Sequence, residues 1–178
     1  MKLLAFAASS STKSINKQLA TYAASHVEHN DGVEVEIIDI NDYEMPLFSE
    51  DKEALLGQPQ QAKDFFAKLG QADAIIIAFA EHNGSYTAAY KNLFDWTSRI
   101  EQKLFQNKPM LLLATSPGPG GASSVLSAAT GSAPYFAGNV KGSLSIPSFY
   151  DNFDMEKQQL RNAELENKLQ SALALLTT

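Results

Sequence analysis

The 178-residue sequence contains no cysteine. Disulfide scaffolds, thiolate zinc sites, iron–sulfur clusters and cysteine nucleophiles are excluded together. Long apolar runs are also missing: nothing approaches the roughly 20 residues that span a bilayer. The opening MKLLAFAASSS imitates a secretory signal, but its apolar run, Leu3–Ala8, is six residues, shorter than the roughly 7–15 of a signal core. A soluble, cytoplasmic protein without a membrane partner is expected. Positive charge is in deficit, with 14 Lys+Arg against 20 Asp+Glu for a net −6. That balance argues against a nucleic-acid partner. Ten of the acids and one base, Lys52, fall within residues 28–53, leaving 13 bases against 10 acids elsewhere. An anionic ligand therefore remains compatible with the acidic total. Histidine is scarce as well. His26 and His29 sit together and His82 stands alone, so no metal-ligand spacing forms and no metal is expected.

Length and apolar content fit one domain over residues 1–178, with no repeat, linker or low-complexity block. Short apolar runs at Leu3–Ala8, Ala74–Ala80 and Met110–Ala114 read as buried parallel strands. Val33, Val35 and Ile37 alternate with Glu34 and Glu36, and Leu144 and Ile146 with Ser143 and Ser145, as in strands near a sheet edge. Helical spacing joins Ile15, Leu19, Tyr22 and His26, then Tyr86, Tyr90, Leu93 and Thr97, then Leu165, Leu169, Leu173 and Leu176. Further helices fit near 59–70 and 121–136. The alternation predicts an α/β fold: a doubly wound, five-stranded parallel sheet with helices on both faces. Ligands of such sheets bind beyond the carboxyl ends of the strands.

Three loops fall there. After the first strand, Ser9, Ser10, Ser11, Thr12 and Ser14 bring hydroxyls, with Lys13 and Asn16, into the start of a helix. Hydroxyls, free helical N–H groups and the helix dipole suit a phosphate; a plain N-cap would need one hydroxyl. After the third strand, Glu81-His82-Asn83-Gly84 precedes the helix Ala88–Ser98 and reads either as a turn or as a loop meeting the edge of a planar ring. After the fourth, Ser116-Pro117-Gly118-Pro119-Gly120-Gly121 clears side chains where a flat ligand could lie against backbone. GxxxxGK[ST] and a GxGxxG after the first strand are absent. So is GxSxG, which sets a hydrolase aside.

Together the loops resemble the flavodoxin-like NADPH-dependent FMN reductase family, which includes quinone, chromate and azo-dye reductases. The family pattern GSxRxxSxN aligns with Ala8–Asn16, PEYNGSxPxxLKNxxDW with Ala80–Trp96, and SPGxxGG is intact at Ser116–Gly121. MPLF at Met45–Phe48 resembles the family segment after strand two. The sequence departs from the pattern at Ser11 (family Arg), His82 (family Tyr), and Ala80 and Thr87 (family prolines). The resemblance implies that Ser9, Ser11, Lys13, Ser14, Ile15 and Asn16 hold the FMN phosphate. By the same resemblance Glu81, His82, Asn83 and Gly84 meet the flavin ring from one side, and Ser116, Pro117, Gly118, Gly120 and Gly121 line its other edge. It further implies electron transfer from NADPH or NADH through FMN to a small acceptor such as a quinone. The flavin does the redox work, so no side chain is assigned as catalytic; Glu81 and His82 read as loop-shaping groups. N–H groups of Gly118–Gly121 would stabilise reduced flavin. An electron carrier or redox sensor is the alternative, with the acidic segment steering partners. Family members form homodimers or homotetramers through the helix carrying Asn92 and Trp96. Tyr86, Tyr90, Leu93, Phe94 and Trp96 supply either that interface or core packing.

Overall fold

The computed structural model describes residues 1–28 and 31–176. His29 lies outside them. In chain order the main elements are β1 (Lys2–Ala8), α1 (Ile15–Glu28), β2 (Glu34–Ile38), α2 (Glu50–Leu56), α3 (Gln60–Gln71) and β3 (Ala74–Phe79). Then come α4 (Ala88–Ser98), β4 (Pro109–Thr115), α5 (Ser123–Ser132), β5 (Asn139–Ile146), α6 (Phe149–Asn152) and α7 (Ala163–Ala174). The five strands are parallel in the order β2-β1-β3-β4-β5. This is the flavodoxin-like doubly wound order, with the direction of winding reversing between β1 and β3.

Alternate side chains of each central strand point to opposite faces. Leu4, Phe6, Ile75, Ile77, Phe79 and Leu112 pack on one face against Phe65 and Leu69 of α3, Trp96 of α4 and Val125 of α5. Leu3, Ala5, Ala74, Ile76, Ala78, Leu111 and Leu113 face Leu19, Ala20 and Ala23 of α1 and Leu169 and Leu173 of α7. Burial on both faces is why β1, β3 and β4 read as unbroken apolar runs. β2 and β5 are the edges, as their alternation foretold.

Several boundaries differ from expectation. Ala80 lies beyond β3, and Tyr86 belongs to a small antiparallel hairpin, Glu81–His82 with Ser85–Tyr86, rather than to a helix. Asn83 and Gly84 at its turn both have positive φ (53° and 75°), the Asn-Gly pairing that suits a two-residue hairpin loop. The helix expected over 121–136 ends as α5 at Ser132 and continues as a 3₁₀ turn, Ala133–Phe136. Pro134, without an N–H and with a ring that crowds the preceding turn, interrupts the α pattern. Two segments add structure that the periodicity does not foretell. Ser49 caps α2, its Oγ accepting from the Lys52 N–H, yet α2 buries no residue. Past β5, α6 leads into a hairpin pairing Phe153–Asp154 with Gln159–Leu160.

The aromatic α4 is consumed by the chain's own core. Tyr90, Leu93 and Trp96 are buried, and Phe94 meets Phe136 edge-on at 4.7 Å. Trp96 Nε1 donates to the Pro46 carbonyl at 2.7 Å, while Asn92 Oδ1 accepts from the Phe48 N–H at 2.8 Å. Asn92 and Trp96 thus strap the Met45–Phe48 segment to the domain. No helix among the described residues is long and apolar enough to cross a membrane.

Candidate functional site

At the carboxyl ends of β1, β3 and β4 a cavity of about 240 Å³ is lined by Ser9, Ser11, Lys13, Ser14, Ile15, Asn16, Ala80, Glu81, His82, Thr115, Ser116, Pro117 and Tyr150. It brings the three loops together. Of the residues singled out from the sequence, Asn83, Gly84, Gly118, Gly120 and Gly121 lie outside its lining. Thr115, Ala80 and Tyr150 join it, though the sequence assigned none of the three to the ligand.

The first loop is a cradle of donors. Ser9 and Ser14 are buried, whereas Ser11 and Lys13 are exposed. Ser9 Oγ accepts from the Ser11 N–H and Ser14 Oγ caps α1 by accepting from the Lys17 N–H, each at 3.2 Å. Each hydroxyl keeps its own hydrogen to donate. The N–H groups of Thr12, Lys13, Ile15 and Asn16 meet no acceptor among the described residues. They are the unpaired donors of a helix start, where the dipole favours negative charge. Lys13 is the one Lys or Arg lining the cavity. Lys17, next along the helix, is held by Asp39 at 2.6 Å. Burial pushes the Asp39 carboxyl upward, but bonds from Lys17 and from the Asn41 N–H outweigh it and hold the group below its ordinary range. Asn41 Nδ2 also donates to the Ser10 carbonyl at 3.1 Å, tying the loop to the turn after β2.

Asn16 has a different job from its neighbours. It is 2% exposed, its Nδ2 donates to the Thr115 carbonyl, and its Oδ1 accepts from the Thr115 N–H, both at 3.0 Å. The amide thereby completes the end of β4 and sets the distance between the first and third loops.

The second loop is fixed from both ends. Thr87 caps α4 through the Tyr90 N–H and donates its own hydroxyl to the Ala8 carbonyl at 3.0 Å, linking the end of β1 to the start of α4. Glu81 Oε2 accepts from the Val125 N–H at 2.8 Å. Since the N-cap of α5, Ala122, has no capping side chain, Glu81 supplies the missing cap from another loop. That contact binds the second loop to the third.

In the third loop the glycines divide by role. A Cβ on Gly121 would stand 2.3 Å from Ser145 Oγ and 3.0 Å from Pro147 backbone, and its φ is +56°. Packing alone demands that glycine. Gly118 and Gly120, like Gly84, face open space, so nothing within the chain crowds a side chain at those positions. The Gly121 N–H donates to the Gly118 carbonyl at 3.3 Å and Pro119 has none. Of the glycine N–H groups expected to face a ligand, those of Gly118 and Gly120 remain unpaired among the described residues.

A larger hollow of about 600 Å³ lies between β5 and α7, lined by Ser143, Leu144, Glu164, Asn167, Lys168 and Ser171. It touches none of the three loops. Among the described residues no cluster of His, Asp or Glu could hold a metal ion.

Residues 1–151 match the model of the NADPH-dependent FMN reductase family. The chain belongs to that family. It is 37% identical over 87 residues to an NAD(P)H-dependent FMN reductase of Pseudomonas aeruginosa, a match covering 49% of this chain and 45% of that protein. It is 36% identical over 90 residues to an NADPH:quinone oxidoreductase of Arabidopsis thaliana, covering 51% and 44%. The chain therefore matches a little under half the length of each of these two relatives. In fold it is similar to the flavoenzyme FerB, an NAD(P)H:(acceptor) oxidoreductase of Paracoccus denitrificans, at TM-score 0.73 and 19% identity over 99% of this chain and 97% of that one. The family match ends at Asp151, so the hairpin after α6 and the whole of α7 lie beyond it.

Proposed function

We propose that this member of the FMN reductase family binds FMN at the three loops and carries electrons from NADPH or NADH to a small acceptor such as a quinone. The observation that carries the reading is the convergence of the β1, β3 and β4 loops on one cavity rich in hydroxyl and N–H donors. Its chemistry fits a phosphate monoester: Ser9, Ser11 and Ser14 each have a hydrogen to give, Lys13 adds charge, and α1 adds its free first-turn N–H groups. At about 240 Å³ the cavity is smaller than the roughly 300–1,000 Å³ of complete ligand pockets. It suits the phosphate end, while the open faces of Gly84, Gly118 and Gly120 leave backbone accessible to a planar ring. Gly118 and Gly120 have N–H groups to offer such a ring.

Hydride acceptance and onward electron transfer are the chemistry FMN supplies when bound. The chain's residues hold and orient. Asn16 and Glu81 lock the loops to one another, and neither is required as an acid or base. We further place the protein in a homodimer or homotetramer. Since α4 spends its aromatics inside the chain, the apolar surface for that contact is the exposed Leu47, Leu55 and Leu56 beside the Met45–Phe48 strap.

The test is the visible spectrum of the purified protein before and after FMN is added, followed by steady-state NAD(P)H oxidation with a quinone. Flavin uptake with turnover supports the reductase. Uptake without turnover favours an electron carrier, and a protein that takes up no flavin overturns the reading.

A further inference from the structure

We infer that Tyr150 is a ligand-contacting residue of the cavity, its phenol hydroxyl donating a hydrogen bond to the phosphate of the bound mononucleotide. The inference rests on the flavin reading above.

Tyr150 lines the cavity together with Ser9, Ser11, Lys13 and Ser14, approaching from the β5 side of the sheet. It is 56% exposed, and its hydroxyl has no partner among the described residues. A tyrosine kept for packing would bury its ring and find its hydroxyl a partner. Here the adjacent Phe149 takes the packing role. It is fully buried and stacks on Phe153 at 4.7 Å and 16°.

The backbone around Tyr150 is held at several points. Ser148 N–H donates to the Gly118 carbonyl at 2.9 Å and Phe149 N–H to the Ser116 carbonyl at 3.0 Å. Asn152 Nδ2 donates to the Pro147 carbonyl at 2.7 Å, and the Arg161 N–H to the Asn152 carbonyl at 2.8 Å. Ser148 sits at φ 44°, a conformation an L residue adopts at a cost and keeps only where its surroundings fix it. The stacking partner Phe153 belongs to the hairpin past the family match. The backbone of this turn is therefore fixed, and it brings an exposed phenol with a free hydroxyl to a cavity whose other donors are three serines, a lysine and a helix start. A dianionic phosphate is the acceptor such a set fits.

The experiment compares FMN with riboflavin, which has the same ring and no phosphate, in equilibrium fluorescence titrations of the full chain and of Tyr150→Phe. The variant keeps the ring and alters an exposed atom, so the fold is retained. Losing one hydrogen bond to a charged group at a half-exposed site weakens FMN binding about tenfold, with riboflavin binding unchanged. Equal weakening of both flavins, or no change in either, would overturn the assignment while leaving the flavin reading standing. A wild-type chain that binds neither flavin would overturn the flavin reading itself, and this inference with it.

Discussion

Asn16 and Thr115, 99 positions apart, exchange a reciprocal pair of hydrogen bonds at 3.0 Å between the first turn of α1 and the last residue of β4. The pair is buried. It gives the N–H and the C=O of the strand's last residue a side-chain amide as partner.

Asn16→Ala removes both side-chain bonds to Thr115 at a buried position. Each lost hydrogen bond costs about 0.5–1.5 kcal/mol net, so a loss of about 1–3 kcal/mol is expected, read as a lower urea midpoint at unchanged slope. An unaltered midpoint would mean that water replaces the amide and that the pair does not set the spacing of the loops.

Glu81 gives a graded test of the loop contact. Glu81→Ala removes the cap of α5, at about 1 kcal/mol. Glu81→Gln keeps an acceptor for the Val125 N–H and loses only the charge at the helix start, about 0.3–1 kcal/mol. Thermal unfolding should rank wild type above Gln above Ala. A catalytic carboxylate would instead show Gln and Ala equally inactive at full stability.

The central sheet was legible because β1, β3 and β4 are buried on both faces and leave an unmistakable apolar run. The loops were legible because glycines and hydroxyls cluster at the strand ends. What each residue does there was less so. Asn16 and Ser14 lie in one motif and both line the cavity, yet Asn16 spends its amide on β4 while Ser14 keeps a hydrogen to donate, a division set by Thr115 far along the chain. Gly120 and Gly121 are adjacent and identical in sequence, and the approach of Ser145 and Pro147 together with the left-handed backbone of Gly121 separates them. The Asn83-Gly84 hairpin had a local signal in its dipeptide. Tyr150 had none: its place depends on the stack of Phe149 on Phe153 and on bonds to the β4 loop.

Acid stability has an identifiable contributor in Asp39. Its carboxyl is held below the ordinary 3.8 by Lys17 and the Asn41 N–H against the opposing effect of burial. A depressed folded value means the contribution is complete above about pH 4 and disappears as pH falls through the folded value. The side chains are 40% and 28% exposed, which limits the pair to about 0.5–1 kcal/mol. Asp39→Asn should lower stability at pH 7 by that amount and converge with wild type near pH 2 in urea titrations. A constant offset across that range would place the effect in packing rather than charge.

The two adjacent glycines separate folding from binding. Gly121→Ala combines a left-handed backbone, costing about 1–2 kcal/mol, with a clash against Pro147 backbone and Ser145 Oγ worth about 1–3 kcal/mol more. Its unfolding midpoint should fall sharply. Gly120→Ala meets no atom of the chain within 4 Å, so stability should stay within about 0.5 kcal/mol of wild type. Its added methyl instead occupies the space where the flavin ring is proposed to approach backbone, and FMN affinity should drop several-fold in a fluorescence titration. If Gly120→Ala binds FMN as wild type does, the ring does not lie against this loop, and the phosphate cradle alone would remain of the proposed site.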